Sequence, residues 1–183
     1  FGVDGGNGAI GSIFNDLAKI YSFNCDELYM DVDGNFPNHP ADPSNKENLQ
    51  EIIKLVQENS LDFGVAFDGD ADRAVFIDDE GKVVSGSMMT TLIADYLSEK
   101  NNNLKVVYNV NVSPHALSIL ESKGVTLFRC KVGHSNIKAM MKELKADFGG
   151  EHSAHFYYKD NYFADSAILT LLMLMSIVSE REE

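Results

Sequence analysis

The chain has 183 residues, 44% of them hydrophobic and 23% charged, with a formal net charge of −13. That length suits one large domain or two small ones with proper cores, and Arg73, Arg129 and Arg181 as the arginines of so acidic a chain exclude a basic, nucleic-acid-binding face. No run of eighteen apolar residues occurs, so no membrane span is expected; Cys25 and Cys130 match no metal spacing and suit a reduced, cytoplasmic protein. The chain starts on Phe1, not Met, and reads as a piece of a longer protein.

Val3 opens a glycine-rich turn, Asp4-Gly5-Gly6-Asn7-Gly8, after which Ile10, Ile13, Phe14, Leu17 and Ile20 fall at helical spacing. A strand is expected over residues 27–30, followed by a polar connection holding Pro37, Pro40 and Pro43. Ser44-Asn45-Lys46-Glu47 fits a capping box, and Leu49, Ile52, Ile53 and Val56 give the next helix its buried stripe. Phe63–Phe67 and Ala74–Asp78 read as strands around the loop 68–73, with a turn at Asp79-Glu80-Gly81. The first series closes near Val84.

A second series then begins. A helix is expected over 88–97, a strand over 104–108, and a helix from the Ser113 cap and Pro114 to Gly124. A strand over 125–130, a helix over 137–144, a short strand at 147–148 and a closing helix over 164–179 complete it. Strands alternating with helices imply right-handed crossovers. The expected fold is α/β: two abutting domains, 1–84 and 85–183, each a mixed, mostly parallel sheet flanked by helices, with too little internal similarity to indicate a repeat.

The sharpest motif is Asp68-Gly69-Asp70-Ala71-Asp72-Arg73. Three carboxylates at alternate positions converge only if something offsets their repulsion, and a hard divalent cation does so. An EF-hand loop needs glycine at its sixth position and glutamate at its twelfth, where Arg73 and Asp79 stand, and helices where strands flank this loop. A solvated acidic turn is the plainer alternative; strands on both sides and the adjacent Arg73 count against it.

A second constellation, Gly149-Gly150-Glu151-His152-Ser153-Ala154-His155, alternates donors and acceptors suited to a hydroxyl-rich ligand. Zinc at His152 and His155 lacks a third ligand at a familiar spacing, and a plain surface loop is the other reading. Lys131-Val132-Gly133-His134, between a strand and a helix, offers an anion a lysine, a histidine and a helix N-terminus. The turn 4–8 lacks both G-x-G-x-x-G and the Walker lysine and reads as a tight strand-to-helix connection.

Together these motifs resemble the α-D-phosphohexomutase superfamily, phosphomannomutase/phosphoglucomutase branch, over essentially the whole chain. Residues 4–8 resemble the start of its second domain, Asp33-Gly34-Asn35-Phe36-Pro37-Asn38-His39 a characteristic internal segment, and residues 68–73 its Mg²⁺ loop. Lys131-Val132-Gly133-His134 resembles its Lys-Thr-Gly-His motif, and residues 150–155 its sugar-recognition loop. The resemblance implies Asp68, Asp70 and Asp72 as Mg²⁺ ligands, Arg73, Lys131 and His134 as catalytic residues, and Glu151, Ser153 and His155 as substrate-binding.

It also implies interconversion of hexose 1-phosphate and hexose 6-phosphate, of mannose or glucose, through a phosphoserine and a hexose 1,6-bisphosphate. First and fourth domains of the same protein would bring the phosphoserine and a phosphate clamp. Asn111 stands where many members carry a lysine, which leaves the general acid or base open. Ala71 and Ala154 replace common glycines and matter little provided their φ stays negative. The Glu-His-Ser-Ala-His form leans towards mannose or glucose and away from N-acetylglucosamine. The rival readings are a haloacid-dehalogenase-type phosphatase, which wants Asp-x-Asp-x-Thr/Val after the first strand, and a non-catalytic metal- or partner-binding module.

Overall fold

The structure is a computed structural model and describes residues 1–109 and 112–181. It divides into two compact units, residues 1–84 and 85–183. Among the described residues, no helix is long and apolar enough to cross a membrane.

Unit 1 runs β1 (Gly2–Asp4), α1 (Gly11–Tyr21), β2 (Asp26–Leu28), a 3₁₀ turn (Lys46–Leu49), α2 (Gln50–Asn59), β3 (Phe63–Phe67), β4 (Ala74–Asp78) and β5 (Val83–Val84). The sheet order is β2-β1-β3-β4-β5. β1 pairs in parallel with β2 and β3, whereas β4 runs antiparallel to β3 and to β5. β3, central and apolar throughout, is fully buried. Ile52 and Val56 of α2 pack with Leu49, Ala66 and Ile77. Gly2 and Gly64 leave the room, since a Cβ on Gly64 would lie 2.7 Å from Val56 Cγ2.

Unit 2 runs α3 (Gly86–Lys100), β6 (Lys105–Asn109), α4 (Pro114–Ser122), β7 (Thr126–Cys130), α5 (His134–Leu144), β8 (Phe148–Gly150), β9 (Phe156–Tyr158), β10 (Ala164–Asp165) and α6 (Ala167–Arg181). Its sheet order is β10-β9-β8-β6-β7, with β6 parallel to β7 and β8, and β9 antiparallel to β8 and β10.

Between α3 and α6, unit 2 repeats the order of unit 1: strand, helix, strand, helix, then three strands. β1 or β6 connects through a helix to a neighbour on one side, and the chain then returns to its other side as β3 or β8. Each sheet therefore has a topological switch point beside its third strand, where α/β folds bind ligands. The repeat unseen in the residues is present in the topology, and each sheet holds equal numbers of parallel and antiparallel pairings.

Several local expectations change. The closing helix starts at Ala167, because Ala164–Asp165 is strand β10 and Ser166 Oγ accepts from Leu169 N at 3.2 Å. β9 was not foreseen, and the expected strands at 27–30 and 147–148 lie at Asp26–Leu28 and Phe148–Gly150. The capping box fails at its first position. Asn45 accepts from Glu47 N at 3.1 Å, while Ser44 Oγ donates to Asp42 Oδ1 at 2.8 Å.

Candidate active-site loops

In unit 1 the loop 68–73 joins β3 to β4. Asp68 is 2% exposed and its carboxylate closes the loop on itself. Asp72 N and Arg73 N donate to Oδ1 at 3.1 and 3.0 Å, and Arg73 Nε donates to Oδ2 at 2.7 Å. One oxygen from each of Asp68, Asp70 and Asp72 lies within 4.8 Å of the others. Arg73 also meets Asp42 at 3.2 Å and Asp72 at 3.9 Å. Burial opposes its charge, but Asp68 chiefly, with Asp42 and Asp72, holds the guanidinium above its ordinary pKa. Hydrogen bonds from Ser44, aided by Arg73, hold the Asp42 carboxyl below its ordinary range against the opposing effect of burial.

Two further segments brace this loop. Ala9 N donates to Gly69 O at 2.9 Å and Gly69 N to Ala41 O at 3.1 Å. The turn 4–8 packs so closely that a Cβ on Gly8 would lie 2.8 Å from Gly69 O. Asn38 Nδ2 donates to Asn7 Oδ1, and His39 Nε2 lies 3.0 Å from Asp4 Oδ2. Burial raises the Asp4 pKa, partly offset by the Gly6 N–H and His39. The 33–39 segment thus fastens the turn at the end of β1. Asp4, His39 and Asp42 were missed as supports because only tertiary contact shows the role.

In unit 2 Glu151 follows β8 and is also 2% exposed. Tyr157 OH donates to its Oε1 at 2.6 Å and Gly133 N to its Oε2 at 3.3 Å. Glu151 thereby ties its loop to the 131–134 connection. Ser153 Oγ is 3.1 Å from His155 Nδ1, and His152 Nδ1 is 3.2 Å from Ser87 Oγ on α3. Ser153 is exposed and His155 half-buried. Lys131 is exposed after β7, and His134 is exposed as the first residue of α5. The expectation that this helix starts at 137 is corrected by one turn. Gly133 sits at φ 121°, which a side chain rarely adopts. Asn111 lies outside the described residues.

The alanine expectation is overturned. Ala71 has φ 60° and Ala154 φ 68°, both left-handed. Each donates its N–H to the carbonyl of the acidic residue opening its loop, Asp68 or Glu151, at 3.1 Å. The turn demands that backbone, and alanine accepts the strain.

Residues 1–81 match the family described as phosphoglucomutase/phosphomannomutase, alpha/beta/alpha domain II, and residues 85–183 match its domain III. A "phosphohexose mutases" protein of Xanthomonas campestris pv. campestris (strain B100) is 35% identical over 97% of this chain and 40% of its own length. A phosphoglucomutase/phosphomannomutase family protein from Burkholderia thailandensis superposes with TM-score 0.93 at 33% identity, covering 98% of this chain and 39% of that one. An Aspergillus fumigatus N-acetylphosphoglucosamine mutase, solved with GlcNAc-6P and magnesium, gives TM-score 0.74 at 16% identity, a likeness of fold alone. The chain thus spans about 40% of the curated relative's length. Two consecutive domain matches that together cover nearly every residue place the chain in the phosphoglucomutase/phosphomannomutase family.

Proposed function

We propose that this chain supplies the metal-holding and sugar-recognising loops of a phosphohexomutase, which interconverts hexose 1-phosphate and hexose 6-phosphate of mannose or glucose. The observation that carries the reading is the loop 68–73, whose three carboxylates converge beside Arg73 at the end of a buried central strand. An all-oxygen acidic donor set with a partly exposed rim fits Mg²⁺, and Asp68, Asp70 and Asp72 would hold it. When bound, Mg²⁺ supplies positive charge to phosphoryl oxygens.

Asp68 keeps the loop closed through its backbone and guanidinium donors, so Asp70 and Asp72 are presented in fixed positions. Arg73 remains cationic and adds the positive charge that phosphoryl transfer requires. In unit 2, Glu151 offers its remaining lone pairs to sugar hydroxyls, and Ser153 and His155 add a hydroxyl and an imidazole. Lys131 and His134, exposed near the start of α5, attract a sugar phosphate. The phosphoserine donor and the clamp for the second phosphate belong to first and fourth domains, and a hexose 1,6-bisphosphate links the two half-reactions. The free thiols of Cys25 and Cys130 accord with a reducing, cytoplasmic setting.

The chain's 40% share of its relative favours a second reading for the piece alone, a non-catalytic module. A coupled assay from mannose 1-phosphate to mannose 6-phosphate, with Mg²⁺ and bisphosphate, separates the two. Expected is turnover by the chain joined to first and fourth domains and none by the 183 residues alone, since donor positioning is worth roughly 7–11 kcal/mol of barrier. No turnover in either form overturns the mutase reading.

A further inference from the structure

β9 carries three consecutive buried aromatic residues, Phe156, Tyr157 and Tyr158, and alternation sends them to opposite faces of the sheet. Phe156 stacks on Phe148 with centroids 6.5 Å apart, and Tyr158 lies tilted against the same ring at 5.4 Å. Tyr157 goes the other way, into the cluster with Val107, Ile137 and Met141 under α5. A phenylalanine would fill that apolar space as well as tyrosine does. The hydroxyl is what needs explaining.

It reaches out of the cluster to Glu151 Oε1 at 2.6 Å, the length of a charge-assisted bond. The other oxygen takes Gly133 N, 3.3 Å away, from the connection that bears Lys131 and His134. Each carboxylate oxygen is therefore pinned by one protein donor, and those donors belong to different elements. The pinned group has a fixed roll about its own axis, so its free lone pairs point in fixed directions. The Tyr157 ring also lies beside His155, centroid to centroid 6.3 Å at 18°.

We infer that Tyr157 is a positioning and specificity-determining residue: its hydroxyl sets the roll of the Glu151 carboxylate, and with it which arrangement of sugar hydroxyls the loop accepts. This rests on the proposal that Glu151 meets the sugar. A carboxylate with fixed lone pairs distinguishes epimers, whereas a freely turning one adapts to either. The same bond transmits to the 131–134 connection, because a turned carboxylate no longer meets Gly133 N.

Tyr158 provides the control. It lies next in the strand, is buried, and shares a hydrogen bond with Thr170 Oγ1 at 2.9 Å on the opposite face. The Tyr157→Phe and Tyr158→Phe variants of the 183-residue chain remove the same atom from the same strand. By NMR, Tyr157→Phe is expected to shift the Gly133 amide upfield and speed its hydrogen exchange about tenfold. Tyr158→Phe should leave it unchanged. An unmoved Gly133 amide in Tyr157→Phe, or an equal change in both variants, overturns the inference. If Tyr157→Phe does not fold, Glu151→Gln reads the same bond from the other side, through the Tyr157 Cζ resonance, and an unmoved resonance is equally fatal.

The sugar arm titrates glucose 1-phosphate and mannose 1-phosphate, which differ at C2. In Tyr157→Phe the ratio of the two dissociation constants should move towards one by about three- to tenfold, within what a lost oriented polar contact gives. A conserved ratio beside a shifted Gly133 amide overturns the specificity role. Sugar binding unaffected by Glu151→Gln instead refutes the underlying sugar-contact proposal, a distinct failure.

Discussion

The loops 68–73 and 151–155 occupy the same point in the repeated order of elements, immediately after the third strand and before an antiparallel partner. Both open on a buried acid, both place an alanine three residues later in the left-handed region, and both close with a backbone bond across the loop. Their chemistry parts at the side chain of that first acid. Aspartate is one methylene shorter, and Asp68 collects its donors from residues four and five positions on. Glu151 reaches outward instead, to Gly133 and Tyr157. A short acid makes a self-contained acidic turn that concentrates charge; a longer one makes a strut between neighbours. One scaffold thus serves two tasks with little backbone change.

Several experiments break or sharpen this comparison. The largest contrast is in metal binding. Asp70→Asn, at an exposed position that leaves the Asp68 network intact, should abolish the Mg²⁺ isotherm, while Glu151→Gln should leave it unchanged in isothermal titration. An equal loss in both would show that the loops do not divide the work.

Glycines that admit each loop come next. In Gly8→Ala the new Cβ would press on Gly69 O at 2.8 Å, and in Gly86→Ala on His152 O at 2.6 Å. Both obstacles are backbone, so each variant should lose about 2–3 kcal/mol in denaturant unfolding. Loss in only one unit would mark the other loop as loosely packed.

Smaller gains are expected from relieving the alanines. A left-handed non-glycine residue costs about 1–2 kcal/mol, and glycine returns part of that as unfolded-state entropy. Ala71→Gly and Ala154→Gly should each stabilise by about 0.5–1 kcal/mol.

The least effect is acid sensitivity beside the loop 68–73. The Asp42 pKa is lowered below its ordinary 3.8, so its contribution is complete above that pH and fades as pH falls through the folded value. NMR of Arg73 should show its contact with Asp42 loosening as the pH falls below about 3.8.

How much of this was legible follows from where each signal resides. β3, α1 and α2 announce themselves because an apolar run or a helical stripe is a property of the local sequence. β9 has three residues, too few to display alternation, and the apolar run before α6 hides the break at Asp165-Ser166. The left-handed alanines were illegible, since alanine expresses no preference for that region; hydrogen bonding to Asp68 and Glu151 imposes it. The acidic triad could be read because alternate carboxylates are conspicuous in any chain. Tyr157 could not, because nothing in Phe156-Tyr157-Tyr158 tells which hydroxyl meets a carboxylate until the sheet gives each face a neighbour.

The sheet orders carry one more consequence, for how the protein behaves when crowded. Four strands stand at the margins: β2 with three residues, β5 and β10 with two each, and β7 with five. Two-residue margins offer almost no ladder to an incoming chain, and β2 presents Asp26 and Glu27. β7 alone is long enough to template another strand, and its middle holds the half-buried Leu127 and Phe128. Arg129, exposed on that same strand, places a positive charge on this margin, and a charge there disfavours edge-to-edge pairing.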